Sequence, residues 1–235
     1  MQILSPTLIL VNPQLGENIG MCARAMLNCG FTQLRLVAPR DGWPSESAIK
    51  ASAGADALLE QATVFDTVAE AIADCTTVYA TTARQRAMNK PVVELPALPT
   101  HRAVAPQEHI GILFGAERSG LENEAIALAD YVLTIPLNPD FSSLNLAQAV
   151  LLVCYTLMHS APVAAVDTGL EPPADKAQLL HFLNRLESSL IDKGFLFPEE
   201  KRPLMMRNIQ TLFTRAQLST QEVQTLEGIL TALRR

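Results

Sequence analysis

The chain has 235 residues, 49% of them hydrophobic and 18% charged, with a formal net charge of −6. That composition excludes a disordered or fibrous chain and supplies enough apolar material for one medium domain with an appendage. Four cysteines with no CxxC pair speak against a disulfide scaffold or a cysteine-held zinc, so a reducing cytoplasm is the expected compartment.

Strand and helix patterns alternate through the first 160 residues. Six aliphatic or β-branched runs predict strands: "TLILV" (7–11), "QLRLV" (33–37), "TVFD" (63–66), "TVYATT" (77–82), "IGILFG" (110–115) and "YVLTIP" (131–136). Helices are predicted over 17–29, about 46–59, 67–74, 121–129 and 143–159. Gly30 stands where the first helix needs a C′ residue, and Thr67 with Glu70 makes a capping box. This alternation predicts a mostly parallel sheet covered on both faces. Residues 161–175, rich in Ala, Pro and Gly, read as a linker. Beyond it, 175–191, "EEKRPLMMRNIQTLF" with Pro203 in its first turn, and 219–234 opened by Ser219 and Glu222 read as a small helical unit. The expected organisation is therefore a domain over 1–160, the linker, and a helical extension over 176–235.

Two patterns bear on membranes. "MQILSPTLILVNP" lacks a basic leader and meets Pro13 early, so it is not read as a signal peptide. The apolar run 144–158 is too short to cross a bilayer, and no membrane partner is expected. The net −6 falls entirely within residues 1–160, and 201–221 carries Lys201, Arg202, Arg207 and Arg215 without an acid. Local patches set phosphate affinity, so the acidic total does not exclude RNA.

Three polar stretches, the first two bearing glycines, fall at strand ends, where open α/β sheets place ligands: "NPQLGENIGMCARAM" (12–26), "FGAERSGLENE" (114–124) and "FSSLNLAQAV" (141–150). "GAERSG" has P-loop glycine spacing, but Leu-Glu follows where Lys-Ser/Thr is needed. No GxGxxG opens the first helix, and the four histidines are scattered. Triphosphate, dinucleotide and metal chemistry are poorly supported, and no metal is expected.

Together, "NIGMCARAM", "ILFGAERSGL" and "SSLNLAQAV" resemble, in order, the three signature motifs of the TrmH/TrmJ branch of the SPOUT RNA methyltransferases. The resemblance covers residues 8 to about 158. The tail, through "LLHFLNRLESSLIDKGF" and "IQTLFTRAQLSTQEVQTLEGIL", is similar to the TrmJ C-terminal extension. One departure is Met21-Cys22, where Ser-Val is common in the family.

The resemblance implies a trefoil-knotted α/β fold, S-adenosylmethionine as cofactor, a homodimer, and 2′-O-methylation of a tRNA anticodon-loop ribose at position 32, on cytidine or uridine. Alternatives are 2′-O-methylation of ribosomal RNA, and a non-catalytic RNA-binding dimer of the same fold. Arg24 is implied to contact the acceptor ribose or its phosphate, and Asn18 to orient Arg24 or the ribose. Glu117 is implied to hold Arg24 or Asn18. Ser143 is implied to bond the acceptor and Asn145 to shape the loop, with helix capping as the plain alternative for both. The cofactor pocket is expected to draw on Thr81, Thr82, Ala83, Gly115, Gly120, Ile135, Ser143, Leu144 and Asn145. Arg84, Arg86, Lys90 and Arg118 are expected to meet tRNA phosphates.

Overall fold

Unbroken aliphatic runs suit strands buried on both faces, and the computed structural model places them in the middle of a sheet. It describes residues 6–82, 89–102, 109–159 and 171–233. Within β1 (Thr7–Val11), Leu8 and Leu10 join the apolar cluster on one face of the sheet, and Ile9 and Val11 join that on the other. The remaining strands are β2 (Leu34–Val37), β3 (Thr63–Phe65), β4 (Thr77–Thr81), β5 (Val92–Glu94), β6 (Ile110–Phe114) and β7 (Tyr131–Thr134). They form one sheet in the order β3-β2-β1-β6-β4-β7-β5, every pairing parallel. β6 thus enters between β1 and β4, both earlier in the chain. The C-terminal ends of β1, β2, β4, β6 and β7 share one edge, where the three motif loops emerge.

Helices α1 (Gly16–Asn28), α2 (Glu46–Ser52), α3 (Asp56–Gln61), α5 (Leu98–Arg102) and α7 (Leu146–Met158) cover one face. α4 (Val68–Ala71) and α6 (Asn123–Leu128) lie on the other. The tail is α8 (Lys176–Asp192), α9 (Arg202–Arg215) and α10 (Thr220–Leu233), around its own apolar centre of Leu179, Phe182, Leu183, Val223 and Leu230. Both expected capping boxes form, at Thr67–Glu70 and at Ser219–Glu222. Pro203 lies in the first turn of α9.

The structure departs from the sequence reading in several elements, and the helix expected over 67–74 spans only Val68–Ala71. The helix expected over 46–59 is two helices, because Ala53 turns left-handed (φ 49°) and Gly54 follows at φ 99°. The helix expected from 143 begins at Leu146, capped by Asn145. β5 and α5 were not predicted at all; "VVE" is three residues long and Pro91 precedes it. Most of the expected linker, 161–170, lies outside the described residues. At its end, Ala174 is buried and its N–H donates to the Leu218 carbonyl at 2.8 Å.

Gly20 has a packing role that its motif did not reveal. A Cβ there would stand 2.1 Å from the Ala48 carbonyl oxygen, backbone against which α1 crosses α2. Gly20→Ala must push the two helices apart, and we expect a loss of about 1–3 kcal/mol in urea unfolding. An unchanged midpoint would show that the crossing relaxes freely.

The tail is joined to the sheet by buried polar groups. Asp130, at the start of β7, is 1% exposed; it accepts the Val78 N–H at 2.7 Å and the Lys176 Nζ at 2.6 Å. Lys90 Nζ donates to the Ala127 carbonyl at 2.9 Å, to the Ala129 carbonyl, and to Thr214 Oγ1 of α9 at 2.8 Å. Arg207 of α9 reaches Glu124 of α6 at 3.3 Å.

Candidate active site

α1 begins without a side-chain cap from its own N-cap residue, Leu15. The first turn of a helix leaves amides unpaired, and a carboxylate from elsewhere can serve them. Glu117 does so. Its Oε2 accepts the Gln14 N–H at 2.8 Å, and its Oε1 accepts the Leu15 N–H at 3.4 Å and Asn18 Nδ2 at 2.6 Å. Asn18 is buried within α1, and its Oδ1 accepts Asn145 Nδ2 at 3.1 Å. Asn145 in turn caps α7: its Oδ1 accepts the Ala147 N–H at 2.8 Å, and its own N–H donates to Gln148 Oε1 at 3.0 Å. One residue from each motif therefore stands in a single chain, Glu117–Asn18–Asn145, which fastens the starts of α1 and α7 to the β6 loop.

That loop is a tight return from Ala116 to Gly120, closed by the Gly120 N–H on the Ala116 carbonyl at 2.8 Å. A Cβ on Gly115 would lie 2.1 Å from the Leu121 nitrogen, so only glycine lets the loop close there. Beside it opens a cavity of about 320 Å³ lined by the ends of β4, β6 and β7 and by Ser142, Ser143, Leu144, Leu146 and Ala149. Thr81, Thr82, Gly115, Gly120, Ile135, Ser143 and Leu144 all line it, as do Glu117 and Arg118. Thr81 Oγ1 is spent on the Leu113 carbonyl at 2.8 Å. The Ser142 and Ser143 side chains are exposed at the rim and make no hydrogen bond among the described residues.

Asn145 does not line this cavity. With Gln148 and Leu151 it lines a second, more open concavity of about 480 Å³ against Met21, Arg24, Ala25 and Asn28 of α1. Arg24 is exposed there and forms no ion pair or hydrogen bond among the described residues. Glu117 therefore holds Asn18, one of the two partners expected for it, and not Arg24. The two concavities sit on either side of the α7 N-terminus.

Of the expected RNA contacts, Arg118 is exposed at the cavity mouth. Ala83, Arg84 and Arg86 lie outside the described residues. Lys90 requires a correction. It is 7% exposed with its ammonium enclosed by two carbonyls and Thr214, so it cannot meet a phosphate. Burial pushes it down to about 8. In the tail, Arg202 is engaged by Glu187 and Arg207 by Glu124, leaving Lys201 and Arg215 exposed. Cys22 is fully buried, and desolvation raises its thiol well above the ordinary range, so it is not a reactive thiolate.

Sequence reasoning missed Ser142, Leu137 and Ala149 as cavity residues, and Gln148 as the partner of Asn145. Beside the first motif, the backbone N–H of Arg40 donates to the Pro13 carbonyl at 3.1 Å.

The site is thus a glycine-cornered cavity with an adjoining arginine groove at the ligand-binding edge of a parallel α/β sheet, and comparison with known proteins gives its class. The model of the SpoU rRNA methylase family matches residues 5–155, and the chain belongs to that family. Residues 177–235 match the model of the C-terminal domain of the tRNA methyltransferase TrmJ. The crystal structure of TrmJ from Z. mobilis ZM4 is similar at 49% identity and a TM-score of 0.91, over 98% of this chain and 99% of that one. A tRNA (cytidine/uridine-2′-O-)-methyltransferase TrmJ from Photorhabdus laumondii is 39% identical over 96% of this chain and 95% of the relative. A Pseudomonas aeruginosa relative, whose name adds adenosine, is 36% identical over 95% of this chain and 91% of its own.

Proposed function

We propose that this chain is an S-adenosylmethionine-dependent methyltransferase that modifies a ribose 2′-hydroxyl of the tRNA anticodon loop at position 32. The observation that carries this reading is the convergence of the second and third motifs on one cavity, tied by Glu117–Asn18–Asn145 to a first-motif groove whose arginine is unengaged among the described residues. The names of the TrmJ relatives support tRNA as the substrate and cytidine or uridine as the base. We further infer the division into 1–160 and 176–235, the trefoil knot and a cytoplasmic location. No helix among the described residues is long and apolar enough to cross a membrane.

The cavity fits the cofactor. Its size is at the lower end for small-molecule sites, and its glycine-cornered β6 loop presents backbone at close range. Among the described residues no group of His, Cys, Asp and Glu is arranged to hold a metal. When bound, the cofactor supplies an electrophilic methyl group. What remains for the protein is to hold the acceptor oxygen in line and to stabilise charge as its proton leaves. Ser143 and its neighbour Ser142, on the cavity wall and without a hydrogen bond among the described residues, supply hydroxyls for that acceptor. Arg24 serves by hydrogen bonding and charge. The acceptor proton leaves to water, with the neighbouring RNA phosphate assisting through hydrogen bonding.

In one protomer Arg24 and the cavity belong to different concavities. A homodimer that sets the arginine of one copy against the cavity of the other resolves that separation. The outer side of α7 supports it: Leu151, Leu152, Tyr155 and Met158 are 36–52% exposed, an apolar stripe that a lone chain leaves in water. The test is transfer of tritiated methyl from the cofactor to total tRNA, followed by nucleoside mapping. We expect 2′-O-methylated pyrimidine at position 32; label in ribosomal RNA alone would overturn the tRNA reading.

A further inference from the structure

We propose that Arg40, on the loop after β2, is an RNA-phosphate contact that extends the substrate surface along the sheet edge beyond the first motif. This rests on the RNA methyltransferase reading above.

The placement comes from topology. β2 lies next to β1, and β1 next to β6, so the loops at their C-terminal ends stand side by side. Arg40 sits on the β2 loop, Gln14 on the β1 loop and Glu117 on the β6 loop. Two hydrogen bonds measure the succession: the Arg40 N–H on the Pro13 carbonyl at 3.1 Å, and the Gln14 N–H on Glu117 Oε2 at 2.8 Å. Arg40 is thus one loop removed from the carboxylate that organises the site, and that carboxylate contributes to raising the Arg40 pKa, after the Asp41 hydrogen bond.

The loop is held in shape. The Ala38 N–H bonds to the Phe65 carbonyl at 2.9 Å, the Gly42 N–H to the Pro39 carbonyl at 3.0 Å, and Trp43 packs against the main core. At its tip Arg40 is about half exposed (54%), and Asp41 grips its Nε at 2.8 Å and one Nη2 hydrogen at 3.2 Å. The grip leaves the Nη1 edge free to donate outward. A planar guanidinium fixed in this way loses little freedom when it donates to phosphate oxygens.

Electrostatics explains why a cation is required here. The chain carries −6 overall, and Glu117 and Asp41 both lie along this edge. A polyanion reaching the site meets these carboxylates, and Arg24, Arg40 and Arg118 are the described arginines near them. Arg40 is the one on the β2 side.

The experiment measures binding of full-length protein to deacylated tRNA between about 50 and 200 mM salt, with S-adenosylhomocysteine present. Arg40→Gln is expected to weaken binding several-fold and to reduce the slope of log K against log salt by about one phosphate. Its cofactor affinity by calorimetry and its melting temperature stay unchanged. Asp41→Asn, which removes an acid and keeps the arginine, is expected to bind tRNA at least as tightly as wild type. Superimposable binding curves for Arg40→Gln and wild type would overturn the inference. So would equal losses of binding by both variants in step with lower melting temperatures, which would mark the pair as a loop brace. If wild-type protein methylates ribosomal RNA and leaves tRNA untouched, the tRNA reading fails, and Arg40 is scored by the same slope on that RNA.

Discussion

Arg24→Ala is expected to lower methyl transfer to tRNA by about 10²- to 10³-fold, the usual cost of removing one donor to a developing oxyanion. Cofactor affinity is expected to hold, since Arg24 lines the groove beside α7 and contributes nothing to the cavity wall. The fold is expected to hold too, because the side chain is exposed and makes no bond among the described residues. Arg24→Lys keeps the charge but loses the planar fork, so a partial loss is expected. Calorimetry for the cofactor and single-turnover transfer on tRNA separate these effects. A folded Arg24→Ala protein that no longer binds cofactor, or that transfers methyl at the wild-type rate, would remove Arg24 from the reaction.

Asp130→Ala is expected to cost about 3–5 kcal/mol, the largest stability effect in the molecule. The carboxylate is fully enclosed. Burial pushes its pKa above the ordinary value, while the Lys176 ammonium and the Val78 N–H oppose the rise. Removing it strands the 4%-exposed Lys176 without a counter-charge and orphans an amide of β4. Urea unfolding measures the loss. The double variant Asp130→Ala, Lys176→Met is expected to recover much of it, since no bare charge is left behind. A single variant as stable as wild type would show that water reaches the pair.

Lys90, near this junction, adds a pH signature. Its folded pKa is about 8 against an ordinary 10.5, so between those values the unfolded chain holds the extra proton. Folding stability relative to Lys90→Met is then lowest below about pH 8 and rises by about 3 kcal/mol toward pH 10. A flat difference across that window would mean that Lys90 titrates normally.

Much of the sheet was legible because its strands are unmixed aliphatic runs. "TLILV" and "IGILF" need no partner to be identified, and all of 7–11 formed as expected. "VVE" carries too short a pattern to outweigh Pro91, so β5 is set by its neighbour β7 rather than by propensity. In the site, the residue types and their strand-end positions were visible, whereas the bonds between them were not. Glu117 meets Asn18 across 99 residues, and Lys90 meets Thr214 across 124. Nothing local distinguishes Lys90 from a solvated lysine; its burial is decided by where α9 lands. Gly20 is as opaque locally, since a glycine cleared for a helix crossing looks like one cleared for a ligand.

The bond from Asn18 to Glu117 also constrains how this chain can drift over generations. An aspartate at 18 would set two acids face to face, and a glutamine at 117 would weaken the hold on the opening of α1. Each change is tolerable chiefly in the company of a matching one, so lineages should cross between such pairs in linked steps. Heredity at these two codons is thereby yoked, although they stand in different motifs of the gene.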